Sequence, residues 1–363
     1  MLPLVEIDSP DPRERGRQYG EQARDRIAGS VEFYKDEFAR KTGMTWDDVR
    51  RGTPRWVPLI QTYHADALEE TRGIADGSGF SFEEILALNG RGELRVSDPF
   101  GGEGCTSFAL TGDASGDGHV YCGQNWDWRV GTKESVVMLR IKQPPKPTIV
   151  IQVEAGQIGR HGANSAGIGL NANGLAAPFG FSLGVPSPYI RRRILDSTTM
   201  HDALAAVMEA KQSVCSNLLF THRDGYCVDL ETTPERHGVM EPSGGMLVHA
   251  NAFVAHVPEQ IEDSYRPYAV DSLFRAPRVE GHLRRARGAG STAETREVIA
   301  GALSDHFSYP NSVCTHPDPR DGGRWETLAS TIVDLTTGEY LVASGNPCEQ
   351  PHEALPWNLY DDA

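Results

Sequence analysis

The sequence lacks close cysteine pairs, long apolar runs and clusters of basic residues. Its six cysteines, at positions 105, 122, 215, 227, 314 and 348, show no Cys-x-x-Cys spacing. Structural zinc sites usually take their ligands in close pairs, and small secreted domains have a denser cysteine framework. We therefore expect free thiols and no metal ion; Cys314 and His316 come nearest to a ligand pair.

Two further absences limit the partners of the chain. No stretch approaches the roughly 20 apolar residues of a membrane span, and the first 20 residues lack the basic and apolar parts of a signal peptide. The formal charge of −15, from 35 Lys and Arg against 50 Asp and Glu, disfavours binding to phosphate backbones. We expect a cytoplasmic protein without nucleic-acid or membrane partners. The sequence gives no oligomeric state.

Hydrophobic spacing divides the 363 residues into helical and strand-forming blocks. Helical spacing covers 17–40 and 58–77, and Ser81 with Glu84 forms a capping box for a third helix. Short β-forming runs dominate from 105 to 173, and a last pair, 327–336 and 339–344, has a turn sequence between its strands. Strands gathered in hairpins with helices in separate blocks predict an α+β fold of antiparallel sheets covered by helices.

A glycine-rich segment separates the helical block from the first strand. Residues 89–104 hold five glycines and a proline, which predicts an exposed, flexible loop that ends at Gly104-Cys105. A Cys105 thiol that reached the Gly104 carbonyl could form a thioester by an N-to-S acyl shift. Hydrolysis would then leave Cys105 as a new N-terminus, with an α-amine of reference pKa about 7.7–8.0 placed to act as its base.

Gln124-Asn125-Trp126-Asp127-Trp128 follows about 20 residues later. With Gly104-Cys105-Thr106, it resembles the acyl-coenzyme A:6-aminopenicillanic acid (isopenicillin N) acyltransferase family, autoproteolytic cysteine peptidases of the N-terminal nucleophile (Ntn) hydrolase superfamily. The resemblance continues through 154–159, 164–169 and Val248-His249-Ala250-Asn251, and covers most of residues 15–345.

This resemblance implies a four-layer αββα sandwich and a cleavage between Gly104 and Cys105. Residues 1–104 would become an α subunit and 105–363 a β subunit, which would remain associated as one composite domain. Cys105 would be the nucleophile, Asp127 would orient the new α-amine, and Asn251 would donate a hydrogen bond to the oxyanion.

The chain also departs from the family. The fungal enzyme has an arginine after a late cysteine, but this sequence reads Val313-Cys314-Thr315-His316, so we expect that arginine's role to be vacant or taken by His316 or Arg320. Thr233 aligns with a serine of the fungal enzyme. Candidate substrate contacts are Asn125, Trp126, Asn164, Asn171, Thr233 and His249.

The expected reaction is cleavage or transfer of the acyl group of a small N-acyl or β-alanyl amide through a Cys105 thioester, without a cofactor. An acyl-coenzyme A is a second candidate donor, although the acidic chain offers no plain basic patch for its phosphates. Two alternatives remain open. One is an unprocessed hydrolase that uses Cys314 and His316, and the other is a non-catalytic binding module of the same fold.

Overall fold

The computed structural model describes residues 1–94, 104–176, 182–262 and 265–361. The helices are α1 Pro12–Gln22, α2 Arg24–Thr42, α3 Trp46–Gly52, α4 Val57–Tyr63, α5 Ala65–Ser78, α6 Phe82–Asn89, α7 Arg91–Leu94, α8 Ser187–Leu195, α9 Met200–Met208, α10 Ser272–Leu283 and α11 Thr292–Leu303. The strands are β1 Leu4–Asp8, β2 Gly104–Leu110, β3 Tyr121–Arg129, β4 Val136–Lys142, β5 Ile149–Glu154, β6 His161–Asn164, β7 Ile168–Gly174, β8 Ser216–His222, β9 Tyr226–Thr232, β10 His237–Met240, β11 Met246–His249, β12 Trp325–Asp334, β13 Glu339–Ala343 and β14 Glu353–Asn358.

These strands form two sheets. The eight-stranded sheet has the order β1-β4-β5-β6-β7-β8-β9-β10, and the six-stranded sheet has the order β11-β2-β3-β12-β13-β14. Strand β1 pairs with β4 in parallel, and the other neighbouring strands are antiparallel. Antiparallel hairpins in both sheets agree with the expected strand arrangement.

Alternate side chains along each strand pack into different apolar layers. Ile151 and Leu170 of the eight-stranded sheet pack with residues of α1, α2, α5, α6, α8 and α9. Phe108 and Leu110 of β2 pack under α10 and α11. Between the sheets lies a third cluster, which includes Trp126 and Met138. The order helix, sheet, sheet, helix confirms the predicted αββα sandwich.

Local signals in the sequence identify several element boundaries. Ser81 and Glu84 form the predicted capping box, and Asp334 to Glu339 closes the β12–β13 hairpin. The predicted helix 58–77 is instead divided at His64 into α4 and α5. The predicted glycine-rich loop begins later than expected, because Arg91 pairs with the buried Glu154 and residues 91–94 form a helical turn. Residues 95–103 of that loop lie outside the described residues.

Residues before Gly104 are built into the sandwich. Strand β1 forms one edge of the eight-stranded sheet. The Tyr34 hydroxyl of α2 donates a 2.7 Å hydrogen bond to Glu154 of β5, and the Trp128 indole donates to Tyr34. The N-terminal segment therefore supplies part of the core on both sides of its sheet. No helix among the described ranges is both long and apolar enough to cross a membrane.

A buried ion network joins α1, α5 and α8. Glu70 of α5 pairs with Arg15 at 3.1 Å and with Arg192 at 2.6 Å, and Arg192 also pairs with Asp196. Arg15, Glu70 and Arg192 are each no more than 2% exposed. Removal of the shared carboxylate would leave two buried guanidinium groups with fewer partners.

We predict that Glu70→Ala lowers the free energy of unfolding by about 3–5 kcal/mol, because it breaks a buried charge network on one side. Glu69→Ala is the matched control, since Glu69 is the preceding residue and pairs with the half-exposed Arg13. We expect the control to cost less than about 1 kcal/mol. Urea unfolding measures both changes, and equal losses would contradict this assignment.

Candidate active site

The predicted processing site lies at the start of β2, beside the end of β3. In the antiparallel register, Gly104 faces Asp127 and Cys105 faces Trp126. Since successive side chains of a strand point to opposite faces, Cys105 and Trp126 face the space between the sheets. Asp127 and Thr106 face the layer of α10. The Cys105 side chain is fully buried.

Gly104 allows Asp127 to approach the backbone closely. A Cβ atom on residue 104 would lie 3.0 Å from the Cβ atom of Asp127 and 3.3 Å from its Oδ2. These contacts are tighter than ordinary van der Waals separations. A glycine at this position therefore brings the carboxyl of Asp127 alongside the bond that precedes Cys105.

Asp127 is buried and held by two threonines. Thr327 donates to Oδ1 at 2.6 Å, and Thr315 donates to Oδ2 at 3.2 Å. Burial raises the pKa of Asp127 to about 6, while the positive charge of Arg275 and the two hydroxyl donors oppose that rise. A carboxyl with this pKa changes its protonation state close to neutral pH, as a group in a proton-transfer site does.

Asn251 binds the backbone nitrogen of Cys105. Its Oδ1 accepts a 2.9 Å hydrogen bond from the Cys105 N–H and a 2.7 Å bond from Arg275, while its NH₂ group donates to the Gly174 carbonyl at 3.0 Å. Two donors at one atom fix the orientation of the amide. In the intact chain, Asn251 thus presents an acceptor to Cys105, whereas the sequence predicted an oxyanion donor.

Arg275 of α10 completes the cluster, and the sequence analysis did not identify it. It is fully buried, donates to the Cys105 carbonyl and the Thr106 hydroxyl, and pairs with Asp271 at 2.9 Å. The sequence carried a signal for Arg275, because this residue lies on the stripe of buried positions of α10, which are 272, 275, 279 and 283. A charged residue on such an apolar stripe indicates a buried polar partner.

The segment where the family has its late arginine contacts Asp127 through a threonine. Thr315, not His316, turns its side chain to Asp127. His316 lies against Cys314 and Cys348, and Arg320 is 75% exposed and pairs with Asp318. Among the described residues, Arg275 of α10, rather than His316 or Arg320, brings positive charge to Asp127.

A cavity of about 400 Å³ opens in front of the cluster. Gly104, Asp127 and Arg275 form part of its wall, but Cys105 does not. The intact backbone at Gly104 lies between the buried Cys105 thiol and the cavity. Its remaining lining is aromatic, small or acidic: Tyr268, Ala269, Val270, Asp271, Phe274, Ser308, Asn311, Thr315, Asp321 and Trp325.

Two predicted substrate contacts neighbour Asp127 in β3 but have other partners. Asn125 donates to the carbonyls of Leu303 and Val313, which fixes it beneath α11. Trp126 packs beneath the guanidinium of Arg160, 3.9 Å from its ring centroid. Neither residue lines the cavity.

The other predicted contacts are spread through the eight-stranded sheet and its turns. Asn164 bonds to the carbonyls of Leu195 and Ser197, and Thr233 accepts and donates within its own turn. Asn171 is buried, and its Oδ1 has no hydrogen-bond partner among the described residues. These positions therefore have local roles or no bonded partner, and the structure does not bring them to Asp127.

His249 supports the segment that carries Asn251. Its Nε2 lies 2.8 Å from the Glu231 carboxylate, and its Nδ1 lies 2.8 Å from the Ala250 carbonyl. Burial acts to lower the pKa of His249, but the Asp229 and Glu231 carboxylates outweigh it and raise the pKa. Since both ring nitrogens face acceptors, a protonated His249 would donate to both and order the end of β11.

Comparison with known proteins assigns the chain to a family of acyl-transferases. It belongs to the acyl-coenzyme A:6-aminopenicillanic acid acyl-transferase family, whose model matches residues 114–349. The chain is 29% identical over 346 residues to the 40 kDa form of acyl-coenzyme A:6-aminopenicillanic-acid-acyltransferase of Emericella nidulans. That match covers 93% of this chain and 91% of the relative.

Two solved structures are also similar. A variant of the conjugated bile acid hydrolase from Clostridium perfringens matches 71% of this chain and 95% of its own, with 12% identity and a TM-score of 0.47. Penicillin V acylase from Agrobacterium tumefaciens matches 66% of this chain and 83% of its own, with 14% identity and a TM-score of 0.42.

Proposed function

We propose that the chain cleaves its own backbone between Gly104 and Cys105 and then uses Cys105 as an N-terminal nucleophile. The observation that carries this proposal is the shared environment of the bond. Asn251 binds the nitrogen that cleavage would release, and the Asp127 carboxyl lies beside Gly104. The wall of the cavity includes Gly104 but not Cys105, and we infer that cleavage there would open the cavity towards the buried thiol.

The first step is an N-to-S acyl shift. The Cys105 sulfur attacks the Gly104 carbonyl carbon, the C–N bond breaks, and the thiol proton passes to the departing nitrogen. Water then hydrolyses the thioester, which gives a carboxylate on Gly104 and restores the thiol of Cys105. A nucleophile with its own α-amine as base follows from this reaction.

The same groups would serve the mature enzyme. Asn251 Oδ1 and Asp127 can accept hydrogen bonds from the new α-amine, and the amine can take the proton of the Cys105 thiol. Attack on a substrate carbonyl forms an acyl thioester and expels an amine. We propose that the NH₂ group of Asn251 becomes the oxyanion donor once it turns from the Gly174 carbonyl, a contribution of roughly 3–4 kcal/mol.

The segment before Cys105 would remain bound after cleavage. Strand β1 stays paired with β4, and Tyr34 and Arg91 stay bonded to the buried Glu154. Residues 1–104 and 105–363 would therefore form α and β subunits of one composite domain. The two subunits need no new interface, because the contacts of the intact fold already join them.

Self-cleavage predicts two fragments in denaturing intact-mass spectrometry. Because 104 and 259 residues lie on the two sides of the bond in a 39.7 kDa chain, we expect masses of about 11 and 28 kDa. Cys105→Ala should give one uncut mass, and Cys227→Ala, which changes another buried thiol, should be cut normally. Native mass spectrometry should show both fragments together.

One uncut mass in the wild type would overturn the proposal. Hydrolytic activity lost in Cys314→Ser but kept in Cys105→Ala would support the unprocessed alternative. That alternative is less well supported, since Cys314 and His316 are buried and do not line the cavity. An uncut, inactive chain that binds a ligand would indicate the non-catalytic alternative.

The ionisation of Asp127 predicts a pH dependence of cleavage. Burial raises the pKa of its carboxyl to about 6, and the groups that face it are Arg275, Asp271, Thr315 and Thr327. Only the ionised carboxylate can stabilise the nitrogen as it gains a proton. Precursor from cell-free synthesis should thus cleave faster as the pH rises from 5 to 7, with a midpoint near 6.

Two variants test this assignment. Asp127→Asn should cleave slowly and lose the midpoint. Thr315→Val removes a donor that favours the carboxylate, so its midpoint should move to higher pH. A wild-type midpoint retained in Asp127→Asn would show that another group titrates.

Charge in the cavity favours a small amide that is neutral or carries an amine. Asp127, Asp271 and Asp321 line the cavity, and Arg275, the one guanidinium among the described lining residues, is paired with Asp271. We propose N-acyl or β-alanyl amides as substrates, with water or an amine as acyl acceptor. The name of the Emericella relative makes an acyl-coenzyme A a second candidate donor, although its phosphates would face these carboxylates.

Anilides that differ only in acyl charge test the substrate class. We predict that kcat/KM falls in the order β-alanyl, propionyl, succinyl. Asp321→Asn should lower the β-alanyl value by about threefold to fivefold, the effect of one screened charge. Asp318→Asn is the matched control, since Asp318 pairs with Arg320 and does not line the cavity. Faster turnover of the succinyl anilide, or of acyl-coenzyme A, would contradict the proposal.

A further inference from the structure

Four side chains outside the proposed catalytic cluster converge on one point: His306, Cys314, His316 and Cys348. Their ligand atoms, two sulfurs and two imidazole nitrogens, all lie within 4.8 Å of one another. His306 follows α11, Cys314 and His316 precede β12, and Cys348 follows β13. Cys314 and His316 are buried, whereas His306 and Cys348 are exposed.

Four of the six separations between these atoms are close to those of tetrahedral zinc coordination, and the other two are within 4.8 Å. Zinc bonds of about 2.3 Å to sulfur and about 2.1 Å to nitrogen place two sulfurs about 3.8 Å apart, sulfur and nitrogen about 3.5 Å apart, and two nitrogens about 3.4 Å apart. The Cys314 and Cys348 sulfurs are 3.5 Å apart, and each lies 3.6 or 3.3 Å from His316 Nε2. The Nε2 atoms of His306 and His316 are 3.1 Å apart.

Neighbouring groups hold the ligands in this arrangement. Asn346 donates to the Cys314 sulfur at 3.4 Å, and such a bond stabilises a thiolate. The Glu349 carboxylate lies 3.9 Å from His316 Nδ1, on the side away from the cluster atom Nε2. A carboxylate on the other ring nitrogen is the usual partner of an imidazole that binds a metal.

We propose that the chain binds one Zn²⁺ through Cys314, Cys348, His306 and His316. Two thiolates and two imidazoles are a typical structural zinc set, and four protein ligands leave no open position for a reacting water. From the sequence we expected no metal ion and noted only Cys314 and His316 as a possible ligand pair, because the four ligands come from three separate segments. Zinc binding does not require the proposed self-cleavage, since all four ligands lie after Cys105.

The zinc site also has a structural link to the cluster around Asp127. Thr315 lies between the ligands Cys314 and His316, and its hydroxyl donates to Asp127 Oδ2. Asn346, which bonds to the Cys314 sulfur, also donates to the Thr315 carbonyl at 2.7 Å. An ion that fixes residues 314 and 316 would hold Thr315 in place between them. Thr315 is thus a positioning residue that depends on the metal.

Metal analysis of the full chain tests the proposal. Protein produced with added Zn²⁺ and dialysed in metal-free buffer should retain about one zinc per chain by inductively coupled plasma mass spectrometry. Cys348→Ser and His306→Gln change exposed ligands and should weaken Zn²⁺ binding at least roughly tenfold. Cys215→Ser, which changes a cysteine elsewhere, and Cys105→Ala should both retain zinc.

A spectroscopic measurement on the wild type tests the same proposal and does not depend on whether the variants fold. Co²⁺ in place of Zn²⁺ should give a thiolate-to-cobalt charge-transfer band and the visible bands of a tetrahedral ion. A reduced wild-type chain that retains no zinc and gives no such bands would overturn the proposal. Full zinc retention in Cys348→Ser and His306→Gln, or a Cys314–Cys348 disulfide in the protein as purified, would also overturn it.

Discussion

The bond between the Asn251 amide oxygen and the Cys105 N–H holds the proposed site together. It connects the start of β2 to the segment after β11, and Arg275 of α10 donates to the same oxygen. The bond is buried, so its loss would deprive the Cys105 N–H of this acceptor at a site that water does not reach. Neighbouring residues therefore hold Asn251 in position. His249 orders the strand that leads to Asn251. The Ser272 hydroxyl accepts a hydrogen bond from the Asn251 backbone N–H.

In this site, burial disfavours charged side chains, and pairing with opposite charges and hydrogen-bond donors offsets that effect. Asp127 sits where burial alone would favour its neutral form, and Arg275, Thr315 and Thr327 shift it back towards the carboxylate. Arg275 can be buried because Asp271 and the Cys105 carbonyl satisfy it. This balance would allow a carboxyl and a thiol to remain in a nearly dry interior until the proposed cleavage. In that proposal, the intact fold is a precursor whose reactive groups are already assembled.

The sequence was sufficient for the features that depend on local pattern or on the family resemblance. The capping box at Ser81, the β12–β13 hairpin and the αββα layers were all expected, as was the proximity of Gly104, Cys105, Asp127 and Asn251. Features that depend on distant segments were missed. Strand β1 pairs with β4, more than 100 residues away, and Arg275 reaches Cys105 across a similar separation.

The same limit explains the errors about individual polar residues. Asn164 and Thr233 have side chains that suit either a binding site or a turn, and only their partners show that both accept backbone N–H groups of their own turns. We looked for a residue in the role of the family's late arginine near Thr315, because a sequence comparison matches residues in chain order. In the structure, the positive charge near Asp127 comes from Arg275 of α10. The cluster of His306, Cys314, His316 and Cys348 was likewise hidden by spacing, since a ligand set has no required order along a sequence.

The most direct test of the central claim is to identify the residue that carries the acyl group during turnover. The enzyme would be mixed with a β-alanyl or propionyl anilide, quenched in acid within one turnover, digested and mapped by mass spectrometry. The account predicts an acyl thioester on a peptide that begins at Cys105, with a free α-amine at its N-terminus. An acyl group on Cys314, or on a Cys105 still joined to Gly104, would contradict it.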